Sequence, residues 1–372
     1  MPELFESKVY ARRIAAAVEQ AAAAGLDGLI IGPGPELAYL SGSWISSHER
    51  LTALVIPVSG RPLLVAPEVD AADLGASAVP ELDIDVRGWR DGESAHQLAV
   101  AALQGQGPVA LGSSLTADHV LALQELLGER RTVLATAALK ELFMRKDAAE
   151  IEQLREASHA IDRVHAQVPG LLRPGRTEAE VAADLEQLIL AEHEVVDFII
   201  VGSGPNGANP HHSFSERVLE AGDPVVLDIG GTYGVGYHSD STRTYVTGGE
   251  VDAAPEEFRR LYEVLFRAQE AAVAAVRPGV TAESIDLVAR DIITEAGYGE
   301  YFSHRTGHGI GLSTHEEPFI MAGNQLVLEE GMAFSVEPGI YLSGRFGARI
   351  EDIVAVTAEG RECLTQQQRV LK

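Results

Sequence analysis

Cysteine is nearly absent from this chain: among 372 residues there is only Cys363. A single thiol excludes an intrachain disulfide and a cysteine-ligated cluster, and so close to the C-terminus it reads as an inert small hydrophobe. Basic residues are also scarce, with 29 Lys and Arg against 55 Asp and Glu and a formal net charge of −26. That deficit speaks against nucleic acid and anionic membrane surfaces as partners, since both need basic patches. Long apolar runs are missing as well. The Ala-rich stretch after Arg13 is broken by Glu19, Gln20 and Asp27 and is too polar to span a bilayer. The opening MPELFESKVYARR lacks a basic region followed by an uninterrupted apolar segment, so no signal peptide is expected and a cytoplasmic enzyme is the plain reading.

What is there in quantity is apolar side chain, 46% of the residues, without low-complexity tracts, which describes a folded globular protein. At this length one ordinary core does not suffice, and two domains are expected. Over roughly the first 140 residues helical and strand-like segments alternate. A helix is predicted over Lys8 to Ala24, then a buried strand in GLIIG. A hairpin follows, formed by LTALVIP and PLLVAP around Ser59-Gly60, with strands at Asp83 to Val86 and Val109 to Leu111 and helices at Ser94 to Leu103 and Ala117 to Leu127. This is an α/β domain with a mixed sheet, and the boundary is placed near Arg145, giving domains 1–145 and 146–372. Beyond it, a long helix from Ala148 to Val168 precedes RPGRTEAEVAADLEQLI, a turn with Thr177 as cap and Glu180 at the capping-box position. The form returns in RPGVTAESIDLVARDII, with Thr281 as cap, 104 residues later, and suggests an internally duplicated domain.

Three blocks in this second region carry the chemistry: VVLDIGGTYGVGYHSDSTRTY, HRTGHGIGLSTHEEP, and FSVEPGIY with ARIED. They supply Asp228, Asp240, His308, Glu337 and Glu351 as metal ligands. Four carboxylates crowded into apolar strands cannot all stay ionised without compensation. Two divalent cations balance their charge, and a neutral imidazole adds a ligand without changing the sum. Oxygen-rich ligation with one nitrogen suits hard or borderline ions, Mn²⁺ first and Co²⁺, Fe²⁺ or Zn²⁺ after it, and argues against a thiolate-type zinc site. The chemistry implied is two-metal hydrolysis.

The blocks resemble, in order, the Asp…Asp, HxxGHxxGxxxHE, EPGIY and RIED motifs of the pita-bread metallopeptidases, which include Xaa-Pro dipeptidase (prolidase), aminopeptidase P, methionine aminopeptidase and the metal-free creatinase. The resemblance covers roughly Lys146 to Lys372 and continues more weakly through the N-terminal half. It implies a creatinase/prolidase-type mixed-sheet domain followed by a duplicated pita-bread α+β catalytic domain. It also implies hydrolysis of the bond between an N-terminal residue and proline, small peptides with proline at position two as substrates, and a homodimer. In this likeness Asp228 holds one metal, His308 and Glu337 the other, and Asp240 and Glu351 bridge. Glu337 shuttles the proton, and His211, from NPHHSFS, and His315 hold the substrate and its oxyanion. His304 maps to a further site histidine of unassigned role. Arg349 shares the strand face of Glu351 and lies within reach of a carboxylate.

The chain departs from the family pattern at two points. The separation of Asp228 and Asp240 is 12, one residue longer than usual, and the surplus is expected as a bulge at Gly234-Val235-Gly236. Thr314 replaces an aliphatic residue. A dipeptidase must also recognise the free carboxylate of its substrate, and some dipeptide-specific relatives have Arg just after the proline of the HE-x-P block. Here Phe319 stands there, able to pack a proline ring but without charge, which leaves Arg345, Arg349 or a neighbouring subunit as sources. Xaa-Pro dipeptidase is therefore the leading reading and aminopeptidase P the alternative. A creatinase-like or other small C–N hydrolase, and a non-catalytic binding scaffold of the same fold, remain open behind them. His48, His96, His119, His212 and His238 are read as structural or surface residues, and Asp352 as supporting or surface.

Overall fold

The computed structural model describes residues 4–46 and 49–371, so His48 lies outside the described residues. The chain divides into two compact units, Met1–Phe143 and Met144–Lys372.

The first unit contains α1 (Ser7–Ala23), β1 (Gly28–Ile31), α2 (Pro35–Ser41), β2 (Ala53–Pro57), β3 (Leu63–Pro67), β4 (Asp85–Trp89), α3 (Ala95–Ala101), β5 (Val109–Leu111), α4 (Ala117–Leu127), β6 (Thr132–Leu134) and most of α5 (Ala135–Met144). The strands form one six-stranded sheet in the order β4-β3-β2-β1-β5-β6. The hairpin of β2 and β3 is antiparallel, as is β1 with β2, while β1 with β5, β5 with β6 and β3 with β4 are parallel. The sheet is thus mixed, as the alternation of segments implied. One strand lies later than expected: β4 starts at Asp85, because that residue's N–H donates to Pro62 O and sets the register with β3. Helix α2 and strand β6 carry no strong periodic signal, while α5 ends in the first part of KELFMRKDAAE, a charged, helix-forming stretch at the domain boundary.

The second unit opens with α6 (Ala148–His165), capped by Asp147 and Glu150 in a reciprocal capping box, and α7 (Glu178–Leu190), capped in the same way by Thr177 and Glu180. Then come β7 (Val195–Ser203), β8 (Pro224–Tyr233), β9 (Tyr237–His238) and β10 (Ser241–Val246). The second half repeats the plan with α8 (Glu256–Ala275) and α9 (Ala282–Glu295), capped by Thr281. After these follow β11 (Gly307–Gly309), β12 (Glu316–Ile320), β13 (Ala333–Val336), β14 (Gly339–Leu342), β15 (Phe346–Arg349), β16 (Asp352–Thr357) and β17 (Gly360–Cys363). The repeat extends to the backbone: Gly175 donates to Leu219 O and Leu219 to Arg176 O, while Gly279 donates to Leu328 O and Leu328 to Val280 O.

Each half has its own apolar layer. Ile161, Val181, Leu185 and Ile189 of α6 and α7 pack on Val225, Leu227 and Ile229 of the β10-β8-β7 sheet. Phe258, Leu265, Ile285 and Ile293 of α8 and α9 pack on Phe334, Val336 and Val354 of the β12-β11-β13-β16-β17 sheet. Each fully buried branched or aromatic side chain contributes about 1.5–3 kcal/mol. These layers carry the strands whose ends bear the acidic residues.

Candidate metal centre

Asp228 follows three apolar residues on β8 and pairs across the sheet with Thr242 of β10. The hairpin that returns the chain to Asp240 turns on Gly234 (φ 58°) and Gly236 (φ 110°), left-handed positions that a side chain would strain. The bulge expected there does not form. Ile229 with Ser241, Thr232 with His238 and Tyr233 with Tyr237 keep a single register, and the surplus residue is taken up within the turn. The irregularity falls instead on β7, between Val196 and Phe198. Glu337 follows β13, and Glu351 sits between β15 and β16, its N–H donating to Thr242 O.

These elements bring all five acidic and imidazole residues into one cluster, four of them on the lining of a cleft. Ligand atoms of Asp228, Asp240 and Glu351 lie within 4.8 Å of one another, as do those of His308, Glu337 and Glu351, and of Asp240, His308 and His315. His308 Nε2 is 3.2 Å from Glu337 Oε1 and 3.6 Å from Asp240 Oδ2. Its Nδ1 faces Gly309 O at 3.1 Å, which places the N–H there and leaves the Nε2 lone pair among carboxylate oxygens. Thr242 Oγ1 donates to Glu351 Oε2 at 2.9 Å, and Arg349 Nη2 donates to Asp228 Oδ2 at 2.6 Å. Asp228 Oδ1 and Glu351 Oε1 are buried and have no hydrogen-bond partner.

The electrostatics are unbalanced as they stand. Burial, then the charges of Glu351, Asp228 and Glu337, push Asp240 well above the carboxylate range. Burial, then Glu337 and Asp228, do the same to Glu351. Asp228 is raised by burial in spite of Arg349. Burial also raises Glu337, but while no cation is bound a proton on His308 Nε2, in place of its lone pair, would outweigh burial by hydrogen bond and charge and hold the acid at about 2. Three acids driven toward neutrality, two orphaned carboxylate oxygens and an imidazole lone pair aimed among them fit a pair of divalent cations.

The cleft measures about 830 Å³ and is lined by Asp228, Asp240, His308, Glu337 and Arg349 together with His211, His304, Arg305 and His315. The His308 and His315 rings meet edge to face at 4.1 Å. His315 is exposed, yet burial of its inner side and the charges of His308 and Arg305 lower it to about 4, so it is neutral at pH 7. His304, also lowered by burial, directs Nδ1 to Arg305 O and Nε2 to the Tyr341 hydroxyl at 2.9 Å. Tyr341 in turn accepts from Arg349 Nη1 at 2.8 Å. His212 points away from the cleft, to Glu178 at 2.9 Å.

Phe319 does not line the cleft; its ring lies beneath Arg305. Arg345 is paired with Glu257 at 3.0 Å on the exterior. Asp352 is 2% exposed, which removes the surface reading: Arg243 and Gln269 hold it at 2.7 and 2.8 Å. His96 and His119 bond each other in the first unit, and His238 bonds Asp197. Tyr341, Thr242, Arg243 and Arg305 carry no signal of their own in the sequence. All four stand inside the recognised blocks, and Thr242 and Arg243 gain meaning only from Glu351 and Asp352, which they meet across the fold.

Two α/β units, the second carrying a dinuclear-type acidic cluster, describe the architecture of a metal-dependent hydrolase. The Metallopeptidase family M24 pattern matches residues 152–358, and that of the Creatinase/Prolidase N-terminal domain matches residues 13–144. Probable dipeptidase PepE of Mycobacterium tuberculosis is 56% identical over 359 residues, 96% of this chain and 94% of that protein. The Xaa-Pro dipeptidase of Lactobacillus helveticus is 37% identical over 90% of this chain and 92% of its own length. The crystal structure of dipeptidase PepE from Mycobacterium ulcerans superposes with a TM-score of 0.94 at 53% identity, covering 99% of both chains. The chain belongs to metallopeptidase family M24, in its prolidase and dipeptidase branch, and is a peptidase.

Proposed function

We propose that the chain is an Xaa-Pro dipeptidase that works with two divalent cations, Mn²⁺ first, as a cytoplasmic homodimer. The observation that carries the reading is the convergence of four carboxylates and His308 with two carboxylate oxygens left unpartnered. Asp228 would hold one ion, His308 and Glu337 the other, and Asp240 and Glu351 would span both. Bound divalent cations supply Lewis acidity, polarising the scissile carbonyl and bringing water ionisation into the neutral range.

The remaining work falls to the chain's own groups. Glu337 Oε1 is engaged by His308 and by Ser335 Oγ at 3.2 Å, so Oε2, with only the Arg349 Nε at 3.9 Å among the described residues, is the oxygen that takes a proton from the attacking water and passes it to the departing proline nitrogen. Neutral His315 donates an N–H to the carbonyl oxygen as negative charge develops there. His211, on the lining of the same cleft, holds the substrate. Tyr341, fixed between Arg349 and His304, keeps the Arg349 guanidinium aimed at Asp228.

The test is hydrolysis of an Xaa-Pro dipeptide after chelation and again after Mn²⁺ or Co²⁺ is restored. Activity should vanish and return; full turnover by a preparation shown to be metal-free would sink the mechanism. A tripeptide Xaa-Pro-Yaa cleaved as efficiently as the dipeptide would make the enzyme an aminopeptidase instead.

A further inference from the structure

Arg305 stands two residues before β11, half-buried on the wall of the cleft that holds the acidic cluster and His315. Its guanidinium lies over the face of Phe319, 4.5 Å from the ring centroid. Among the described residues no carboxylate pairs with it. The other guanidiniums considered above are committed elsewhere. Arg349 gives four of its five N–H groups to Asp228, Thr242, Tyr341 and Pro210 O, and Arg345 is tied to Glu257 outside the cleft.

A guanidinium held over an aromatic ring loses less freedom when it binds, because the cation–π contact already restricts it. Arg349 already holds Asp228 and Asp197 already meets His238, so Arg305 is the guanidinium on the cleft lining that no carboxylate pairs with among the described residues. That charge fits an anion. A dipeptide differs from a longer peptide in carrying its α-carboxylate on the residue directly after the scissile bond. We propose that Arg305, held over the ring of Phe319, anchors the free α-carboxylate of the substrate's C-terminal residue and so restricts the cleft to dipeptides. The inference rests on the dipeptidase reading above. It assigns the anion site to Arg305 and gives Phe319, which has no charge of its own, the task of orienting it. Arg305 touches no reacting atom; it sets specificity.

The experiment compares Ala-Pro with Ala-Pro-NH₂, equal in size but lacking the charge, on the metal-loaded enzyme. The wild type should prefer the acid by about 10- to 100-fold in kcat/KM, the range of a charge-assisted pair. Arg305→Gln should collapse that preference to within about threefold, mainly through KM and with metal content retained. Arg305→Lys, which keeps the charge but not the planar fork, should fall between, and Phe319→Leu should lose part of the preference with Arg305 intact. Calorimetric binding of L-proline against L-prolinamide reads the same contact without turnover. Equal wild-type use of acid and amide, or an Arg305→Gln loss identical for both, would overturn the assignment. If neither substrate is cleaved while L-proline still binds in preference to its amide through Arg305, the reaction assigned above fails and the anchor stands.

Discussion

Asp240 and Glu351 are at most 4% exposed, and each is driven upward first by burial and then by neighbouring carboxylates. A buried acid of this kind is tolerable when a cation compensates it. Asp240→Asn and Glu351→Gln each remove a charge the ions would share. Metal content by atomic absorption and turnover should therefore fall together, whereas His211→Ala should keep its metal and lose mainly catalytic efficiency. The reverse pattern would refute the roles proposed for these residues. A second buried acid lies in the first unit. Glu36 on α2 accepts from Ser113 N–H at 3.0 Å, leaves Oε1 unpartnered, and is pushed by burial to about 7. Its folded pKa is above the unfolded one, so its favourable contribution is complete below about pH 4.5 and is lost as pH rises through 7. Glu36→Gln should thus be more stable than wild type at pH 8 by about 2–3 kcal/mol, and the advantage should shrink toward zero at pH 5 in paired thermal melts.

At the scale of elements, the loop that carries His211 is anchored from beneath. Glu178, the first residue of α7 and fully buried, accepts from Ser203 N–H and Oγ, Asn206 Nδ2, His212 Nε2 and Ser215 Oγ at 2.6 to 3.1 Å. Four residues spread over thirteen positions of chain are thereby tied to one helix end, where the helix dipole also favours the anion. Burial raises the acid but these bonds outweigh it, and the net shift is downward. Glu178→Gln cannot accept at both oxygens. It should raise KM for an Xaa-Pro dipeptide about 10-fold or more while metal content stays at the wild-type level, since none of these partners belongs to the acidic cluster. A fall in bound metal equal to the fall in activity would show that the anchor acts on the metal centre instead.

For the molecule as a whole, folding and cation binding are linked, because the unfolded chain holds no such site. At a free Mn²⁺ concentration 100-fold above its dissociation constant the native state gains about 2.7 kcal/mol, which corresponds to an increase of about 5–10 °C in Tm for the unit that carries the site. Without the ion, Asp228, Asp240 and Glu351, all raised, favour lower pH, so the chelated protein should melt higher at pH 5.5 than at pH 8, and Mn²⁺ should remove or reverse that order. A melt at pH 8 insensitive to Mn²⁺ would speak against the site. The proposed dimer is checked by sedimentation at assay concentration, where a fully active monomer would refute it.

Several of these features were determined by the sequence alone. Local rules suffice for the caps at Thr177 and Thr281, the hairpin of β2 and β3, and the apolar run that delivers Asp228, because each depends on residues within a few positions of one another. The five acidic and imidazole residues were legible for a different reason, their blocks resembling a family in order and spacing. Other features were decided by the tertiary structure. The surplus residue between Asp228 and Asp240 went into the turn instead of a bulge, since cross-strand pairs on both sides held one register. Arg349 took Asp228, Arg345 took Glu257, and Arg305 was left facing the cleft on the ring of Phe319. Which guanidinium meets which acid is a matter of distance between segments up to 121 residues apart, and burial then sets how strongly each charge is felt. Periodicity and spacing describe neighbours along the chain; ion pairing and desolvation are properties of neighbours in space.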